Sequence, residues 1–220
     1  MRKCSWTLWV ITTSFLMLLL TVPRADASVI GIGVGDFGPG TTLTTFTGLA
    51  DGTEVNGLNV GGIVFNYSMG SGQLIIDGGP GMTNNVNPPN IVSVGSPTGT
   101  LSLLFPTLLD KFGYGFAVLS GATIPNVTTI NLFSGATNVG TLSFGGAPDP
   151  TFTGGFAGIQ STILFDRATV SFVGSVPAWA LDNVRTGTTG ATVPEPTTFV
   201  LLGTGIGLLG FCRRKIEARF

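Results

Sequence analysis

Short apolar runs of four to eight residues recur through the central part of this chain, and residues that favour turns separate them. Runs of this length with Gly, Pro and Asn between them are typical of β-strands joined by tight loops. The 220 residues include 34 Gly and 13 Pro, a content that disfavours long helices. The spacing of the runs therefore predicts an all-β fold, either a sandwich or a barrel.

The run pattern predicts about a dozen strands and a short helical turn over residues 105–112. Several of the strands alternate apolar residues with Thr, Asn or Ser, so each should pack one face inward and leave the other wet. The Phe residues should form most of the core between two sheets. The strands are predicted at residues 29–34, 43–46, 63–68, 73–76, 91–94, 101–105, 114–119, 128–133, 139–144, 156–160, 168–173 and 179–184.

Composition excludes several functional classes for the central region. The chain has no His, and its two Cys, Cys4 and Cys212, lie near the ends, so neither a Ser-His-Asp nor a Cys-His arrangement is available. Residues 28–193 carry three basic and eight acidic side chains, a net charge of −5, which disfavours nucleic-acid binding. We predict no catalytic residue and no enzyme. The remaining enzymatic alternative is a surface glycoside hydrolase using two of the carboxylates.

The N-terminal segment has the three parts of a secretory signal peptide. Arg2 and Lys3 precede an apolar run over residues 8–20, and Ala25-Asp26-Ala27 has the small-residue spacing of a cleavage site. We predict a signal helix in residues 1–27, with cleavage after Ala27 between the signal and the exported chain. An uncleaved anchor is the alternative, but the run is short for a bilayer that needs about 20 residues.

The C-terminal segment combines a proline-flanked acid, an apolar span and a basic end. Pro194-Glu195-Pro196 precedes an apolar, Gly-rich stretch over residues 197–212, and Arg213-Arg214-Lys215 follows it. The prolines favour an extended start, and the basic cluster should stop transfer and stay on the cytoplasmic side. We predict a C-terminal transmembrane helix that places the domain outside. A plain single-span anchor is the alternative.

This order of parts resembles the PEP-CTERM sorting signal of bacteria that make exopolysaccharide. The resemblance covers about the last 25 residues, assigned here as a tail over residues 194–216 with Pro194, Glu195 and Pro196 as the sorting motif. It implies an exosortase-type membrane protease as partner and export to the cell envelope, cell surface or biofilm matrix. Association with exopolysaccharide follows from the same resemblance.

The region between the two ends resembles exported jelly-roll domains, which are loosely related to carbohydrate-binding modules. We assign a single β-sandwich of this jelly-roll-like type to residues 28–185 and a flexible spacer to residues 186–193. A carbohydrate-binding module is therefore an alternative to a surface or matrix protein. The resemblance rests on Phe46-x-x-Leu49-x-Asp51-Gly52-Thr53, Gly61-Gly62-Ile63-Val64-Phe65, Phe156-Ala157-Gly158-Ile159, Val170-Ser171-Phe172 and Ala180-Leu181-Asp182-Asn183-Val184.

The jelly-roll resemblance also implies a structural calcium ion that joins an early loop to the last strand. In this sequence it suggests Asp51 and Glu54 with Asp182 as ligands, since Ca²⁺ is bound by oxygen and needs neither His nor Cys. The alternative is that these acids are turn formers and solvated surface, and no other cofactor is expected. Trp179 is either a packing residue or a platform for a sugar ring.

Overall fold

The computed structural model describes residues 27–68, 73–83, 85–95, 98–149 and 151–189. The sorting motif, the apolar span and the basic cluster lie outside these residues, as does the predicted signal helix except for Ala27. No helix within the described part of the chain is long and apolar enough to cross a bilayer. That part contains one short 3-10 turn, Val34–Asp36, and eleven strands. The strands are β1 Val29–Gly31, β2 Thr42–Thr44, β3 Leu58–Val60, β4 Ile63–Ser68, β5 Gln73–Asp77, β6 Asn90–Val94, β7 Thr100–Val118, β8 Ile124–Ser134, β9 Thr137–Asp149, β10 Phe152–Phe172 and β11 Trp179–Gly187.

The strands form two antiparallel layers that share their two longest strands, β7 and β10. In the first layer the order is β3, β4, the first half of β7, the second half of β10, β8 and β9. In the second layer it is β5, β6, β11, the second half of β7 and the first half of β10. Strands β1 and β2 pair with β10 and β11 in the second layer.

Both long strands cross from one layer to the other at a corner. The pairing of β10 with β7 shifts register on either side of Phe165, between Gln160 and Arg167. Extra unpaired residues of this kind increase the local twist and bend a strand. The predicted helical turn at residues 105–112 is therefore wrong, because that segment is the corner of a continuous strand. Pro106, which has no N–H to donate, lies at this corner.

The core between the layers is aromatic, as the Phe content predicts. Phe116 of the second layer meets Phe172 of the first with ring centroids 6.1 Å apart, and Phe172 stacks on Trp179 at 4.4 Å. Tyr114 crosses the same core, and its hydroxyl lies 2.5 Å from the hydroxyl of Thr128 in β8. Burial raises the pKa of the Tyr114 phenol far above its ordinary value.

These features confirm the predicted all-β, jelly-roll-like single sandwich. The prediction for β4 has the observed bounds, whereas β3 was not predicted and four predicted strands merge in pairs into β7 and β10. The domain also ends later than predicted. Strand β11 runs to Gly187, and Asp110 binds Thr189, so residues 186–189 of the predicted spacer belong to the sandwich.

Candidate ligand site on the outer face of the second layer

Three oxygen-bearing side chains lie in a row across adjacent strands of the second layer. Asp77 of β5 pairs directly with Asn90 of β6, and the pairing of Leu181 with Ile91 places Asp182 of β11 beside Asn90. Their chain neighbours Ile91 and Leu181 belong to the core. Because side chains alternate along a strand, the three polar residues lie on the outer face. We call Asp77, Asn90 and Asp182 the oxygen row.

The segment of residues 78–89 is here called the cover, and its described residues, 78–83 and 85–89, lie over the oxygen row. Its backbone contacts each member: the Gly78 N–H donates to Asp77 Oδ1 at 2.5 Å, and Asn90 Nδ2 donates to the Gly78 carbonyl at 3.4 Å. The Asn87 N–H donates to Asp182 Oδ2 at 3.0 Å. Asn90 is consequently 0% exposed and Asp182 only 1% exposed, although both lie on the face opposite the core.

A glycine beneath the cover allows this close approach. Gly115 of β7 pairs with Asp182, and a Cβ atom at Gly115 would collide with the backbone carbonyl of Asn85. The same carbonyl accepts a hydrogen bond from Asn183 Nδ2 at 2.7 Å. Val86 then packs against Ala117 and Ala180 in a small apolar cluster of its own. The cover is thus held by packing as well as by hydrogen bonds.

The buried end of the oxygen row has an unusual electrostatic character. Burial raises the pKa of the Asp182 carboxyl to about 6, against the lowering effect of hydrogen bonds from the backbone N–H groups of Asn183 and Asn87. Asp182 Oδ1 and Asn90 Oδ1 are both buried and have no hydrogen-bond partner within the described part of the chain. Two acceptors with no donor therefore lie side by side on neighbouring strands.

An apolar groove of about 230 Å³ begins beside the oxygen row. Its floor consists of Val92, Ala180 and Ala117, which are cross-strand neighbours on β6, β11 and β7. Asp77 lies at the groove as well, and Phe152 contributes an aromatic ring. A largely apolar surface with an acceptor at its margin suits an amphipathic ligand, such as one face of a sugar.

The structure corrects the predicted calcium ligand set. Asp51 and Glu54 are exposed, and Glu54 bridges to Ile75 on the outer side of β5. Strands β5 and β6 separate it from β11, so three interstrand steps of ~4.8 Å put Glu54 about 14 Å from that strand. No three His, Cys, Asp or Glu side chains among the described residues are close enough to hold a metal ion.

The sequence did not predict Asp77 and Asn90 as site residues, although they lie beside Asp182 in the sheet. Each stands at one end of a strand, Asp77 after predicted residues 73–76 and Asn90 before predicted residues 91–94. A sequence signal was therefore present, since polar residues at adjacent strand ends often meet. The sequence does not indicate that β6 pairs with β11, because these strands are far apart in the chain.

Trp179 lies in the core and cannot present a face to a sugar. Its side chain is 2% exposed and stacks on Phe172, while its backbone N–H donates to Ser93 Oγ at 2.8 Å. The packing role predicted for Trp179 is confirmed, and the sugar contact predicted for it is wrong. The reason is the inward alternation of β11, which sends Trp179 and Leu181 to the core.

Residues 192–215 match the family model described as the PEP-CTERM protein-sorting motif. The chain carries a PEP-CTERM sorting motif. The match contains Pro194-Glu195-Pro196 and the basic cluster Arg213-Arg214-Lys215, and it confirms the resemblance of the tail. Among curated proteins, none matches this sequence significantly.

Solved structures similar to this chain include family 29 carbohydrate-binding modules. A CBM29-2 mutant complexed with mannohexaose is 12% identical, with 67% of this chain and 92% of that chain covered and a TM-score of 0.39. The enzymatically active domain of bacteriophage CBA120 tailspike protein 4 is 14% identical, with 60% of this chain and 21% of that chain covered and a TM-score of 0.35. With TM-scores below 0.5, these likenesses establish nothing about the ligand or role of this chain.

Proposed function

We propose that this protein is an exported, non-catalytic surface or matrix protein whose PEP-CTERM tail is processed by an exosortase-type membrane protease. The observation that carries the proposal is the sorting motif at residues 192–215, which begins directly after the folded sandwich. Association with exopolysaccharide or a biofilm matrix is part of the proposal. In this proposal the sandwich is the exported domain, and the tail is the segment that directs its sorting.

Delivery follows from the order of the segments. The signal peptide starts export, the sandwich crosses the membrane, and the apolar residues 197–212 hold the chain there while the basic cluster stays behind. Glu195, between two prolines, presents an extended recognition element to the protease. The non-catalytic role is supported by Asp182, whose raised pKa would suit a general acid but whose side chain is only 1% exposed.

The delivery proposal is tested in a host that contains an exosortase and in a matched strain without it. Deletion of residues 194–196 should leave export intact but abolish tail processing, so that immunoblots show only the longer, membrane-associated form. The double variant Thr197→Ser with Thr198→Ser is the control, since it keeps the proline-flanked acid and should be processed normally. Normal processing of the deletion variant would refute the proposal.

The groove supports glycan binding as a second candidate function. Its apolar floor, the Phe152 ring and the polar margin at Asp77 together offer stacking and hydrogen bonding. Pull-down on immobilised polysaccharides should retain the protein, and Phe152→Ala or Leu119→Ala should weaken retention. Leu108→Ala is the control. Leu108 is about as exposed as Leu119, but it lies at the corner of β7, outside the lining of the groove. Equal retention of all variants would exclude the groove.

A further inference from the structure

We propose that one end of the sandwich docks on the lipid bilayer that holds the apolar tail. We call it the corner end, because β7 and β10 cross there from one layer to the other. Its contact surface consists of Leu104, Pro106 and Leu108 at the corner of β7. The inference rests on the proposed delivery function, since it requires residues 197–212 to enter a bilayer. It adds an interaction surface to the folded sandwich itself.

Both ends of the described chain leave the sandwich at the corner end. The Ser28 N–H donates to Thr162 Oγ1 at 3.0 Å, and the Thr162 N–H donates to the Ser28 carbonyl at 3.0 Å. At the other end of the described chain, Thr189 Oγ1 accepts a hydrogen bond from Gln160 Nε2 at 3.4 Å. Gln160 and Thr162 lie where the pairing of β10 with β7 shifts register. The predicted signal and the tail therefore join the sandwich beside the same short stretch of β10.

The chain between the sandwich and the apolar tail is short. Seven residues separate Thr189 from Thr197, where the apolar stretch begins, so this stretch starts no more than about 29 Å from Thr189 at full extension. Before signal cleavage, seven residues likewise separate Leu20 from Ser28. A short tether raises the local concentration of the corner end at the bilayer to the order of millimolar. A contact too weak to hold a free sandwich on lipid is therefore sufficient here.

The corner of β7 exposes three apolar side chains in succession along its outer side. Leu104 is 41% exposed and Leu108 is 51% exposed, and Pro106 between them is exposed as well. Phe105 and Leu109 are buried, so the other three side chains lie on the side of the strand that faces away from the core. Single exposed leucines are ordinary, whereas a contiguous apolar patch marks a surface that contacts a partner or a membrane.

Acidic side chains, which an anionic bilayer would repel, are withdrawn from this surface. Asp110 is only 6% exposed and accepts hydrogen bonds from Thr189. Asp166 accepts the Gly135 N–H at 3.1 Å and is thus directed at the turn between β8 and β9. Residues 99–109 contain no charged side chain at all. Docking of the corner therefore buries no charge of this segment.

One cation stands at the margin of the contact surface. Arg167 of β10 pairs with Leu104 and is half-buried, and its guanidinium carbon lies 3.9 Å from the ring centroid of Phe133. Guanidinium groups bind phosphate oxygens well, and an arginine stem can cover apolar surface while its head stays in the polar layer. Leucines beside one arginine thus match a bilayer surface, where phosphate groups lie above acyl chains. A second copy of the sandwich would not account for both chain ends emerging beside the leucines.

The test uses the full chain, reconstituted into vesicles of phosphatidylethanolamine and phosphatidylglycerol. In a background of Cys4→Ser with Cys212→Ser, Leu108→Cys carries an environment-sensitive fluorophore. Its emission should shift to the blue and be quenched by a lipid with a nitroxide near the headgroup. Leu119→Cys is the matched control, because Leu119 is 49% exposed just past the far end of β7, about 30 Å from the corner, and its label should report water. Equal spectra and equal quenching of the two labels would overturn the proposal.

Flotation of the vesicles in a density gradient separates this inference from the delivery function. A chain that does not float with the lipid contradicts membrane insertion of the tail, whereas a chain that floats with an unquenched Leu108→Cys label contradicts docking alone. Arg167→Gln should reduce the quenching without reducing flotation, and unchanged quenching would contradict the phosphate contact. Dilution of the protein in the lipid should leave the label quenched. Loss of quenching on dilution would assign the surface to a second copy of the chain and overturn docking on lipid.

Discussion

The backbone N–H of Thr189 donates to both carboxylate oxygens of Asp110, at 2.9 and 3.0 Å, and the Thr189 hydroxyl donates to the same carboxylate. Asp110 is only 6% exposed and lies at the corner of β7. The chain therefore leaves the sandwich at a fixed point. Four residues separate Thr189 from Pro194, so the sorting motif begins no more than about 18 Å from this anchor at full extension.

Loss of the Asp110 carboxylate should release the end of the domain. We expect Asp110→Ala to lower the free energy of unfolding by about 1–3 kcal/mol, because hydrogen bonds to a buried charged acceptor are lost. Amide hydrogen exchange at residues 187–189 should become fast in the same variant. Asp51→Asn, at an exposed position, is the control for both measurements. Unchanged amide hydrogen exchange in Asp110→Ala would show that the hydrogen bonds from Thr189 to Asp110 do not hold the end of the domain in place.

The hydroxyl pair in the core should couple the two layers. Tyr114→Phe removes one hydroxyl and leaves that of Thr128 with its bond to the Ser171 carbonyl, at 3.1 Å, so we expect a loss of about 1 kcal/mol in urea denaturation. A double-mutant cycle with Thr128→Val should give a coupling energy above ~0.5 kcal/mol. Additive effects of the two substitutions would mean that the short contact contributes no stability.

The raised pKa of the Asp182 carboxyl gives the stability of the fold a defined pH dependence. The carboxyl has a pKa of about 6 in the folded state and 3.8 as its ordinary value, so between these values the folded state binds more protons than the unfolded state. Stability should therefore rise as pH falls from above 6 towards 4, by up to about 3 kcal/mol.

The contribution of Asp182 is isolated by subtracting the pH profile of stability of Asp182→Asn from that of the wild type. Asp77 is the other ionisable member of the row, and it is present in both proteins. The cover, residues 78–89, carries no ionisable side chain. Parallel profiles of the two proteins would contradict this assignment.

Gly115 and Gly155 offer a matched pair of substitutions in one sheet. Gly115→Ala should displace the cover, because the new methyl group collides with the Asn85 carbonyl, and we expect faster proteolysis within residues 78–89. Gly155→Ala should be tolerated, since its nearest neighbour, a carbon of the Phe116 ring, would be 3.9 Å from the new atom. Limited proteolysis of both variants checks the prediction, and equal cleavage patterns would count against it.

The sequence by itself determined the class of the fold and the presence of the sorting motif. Alternation of apolar and polar residues is a local property, so it predicts strands such as β4 and an aromatic core without any knowledge of pairing. The sorting motif is likewise contiguous, from Pro194 to the basic cluster, and the family match confirms it. The strand pattern and the sorting motif each depend only on residues that are close together in the sequence.

Only the tertiary structure decided how the strands pair and which polar residues meet. Residues 105–112 look helical when taken alone, yet pairing with β10 and β11 makes them the corner of a strand. Asp182 was singled out in the sequence, but its partners Asn90 and Asp77 are some 90 to 105 positions away and join it through β6. Register between distant strands depends on the summed packing of the whole core, which no local pattern encodes.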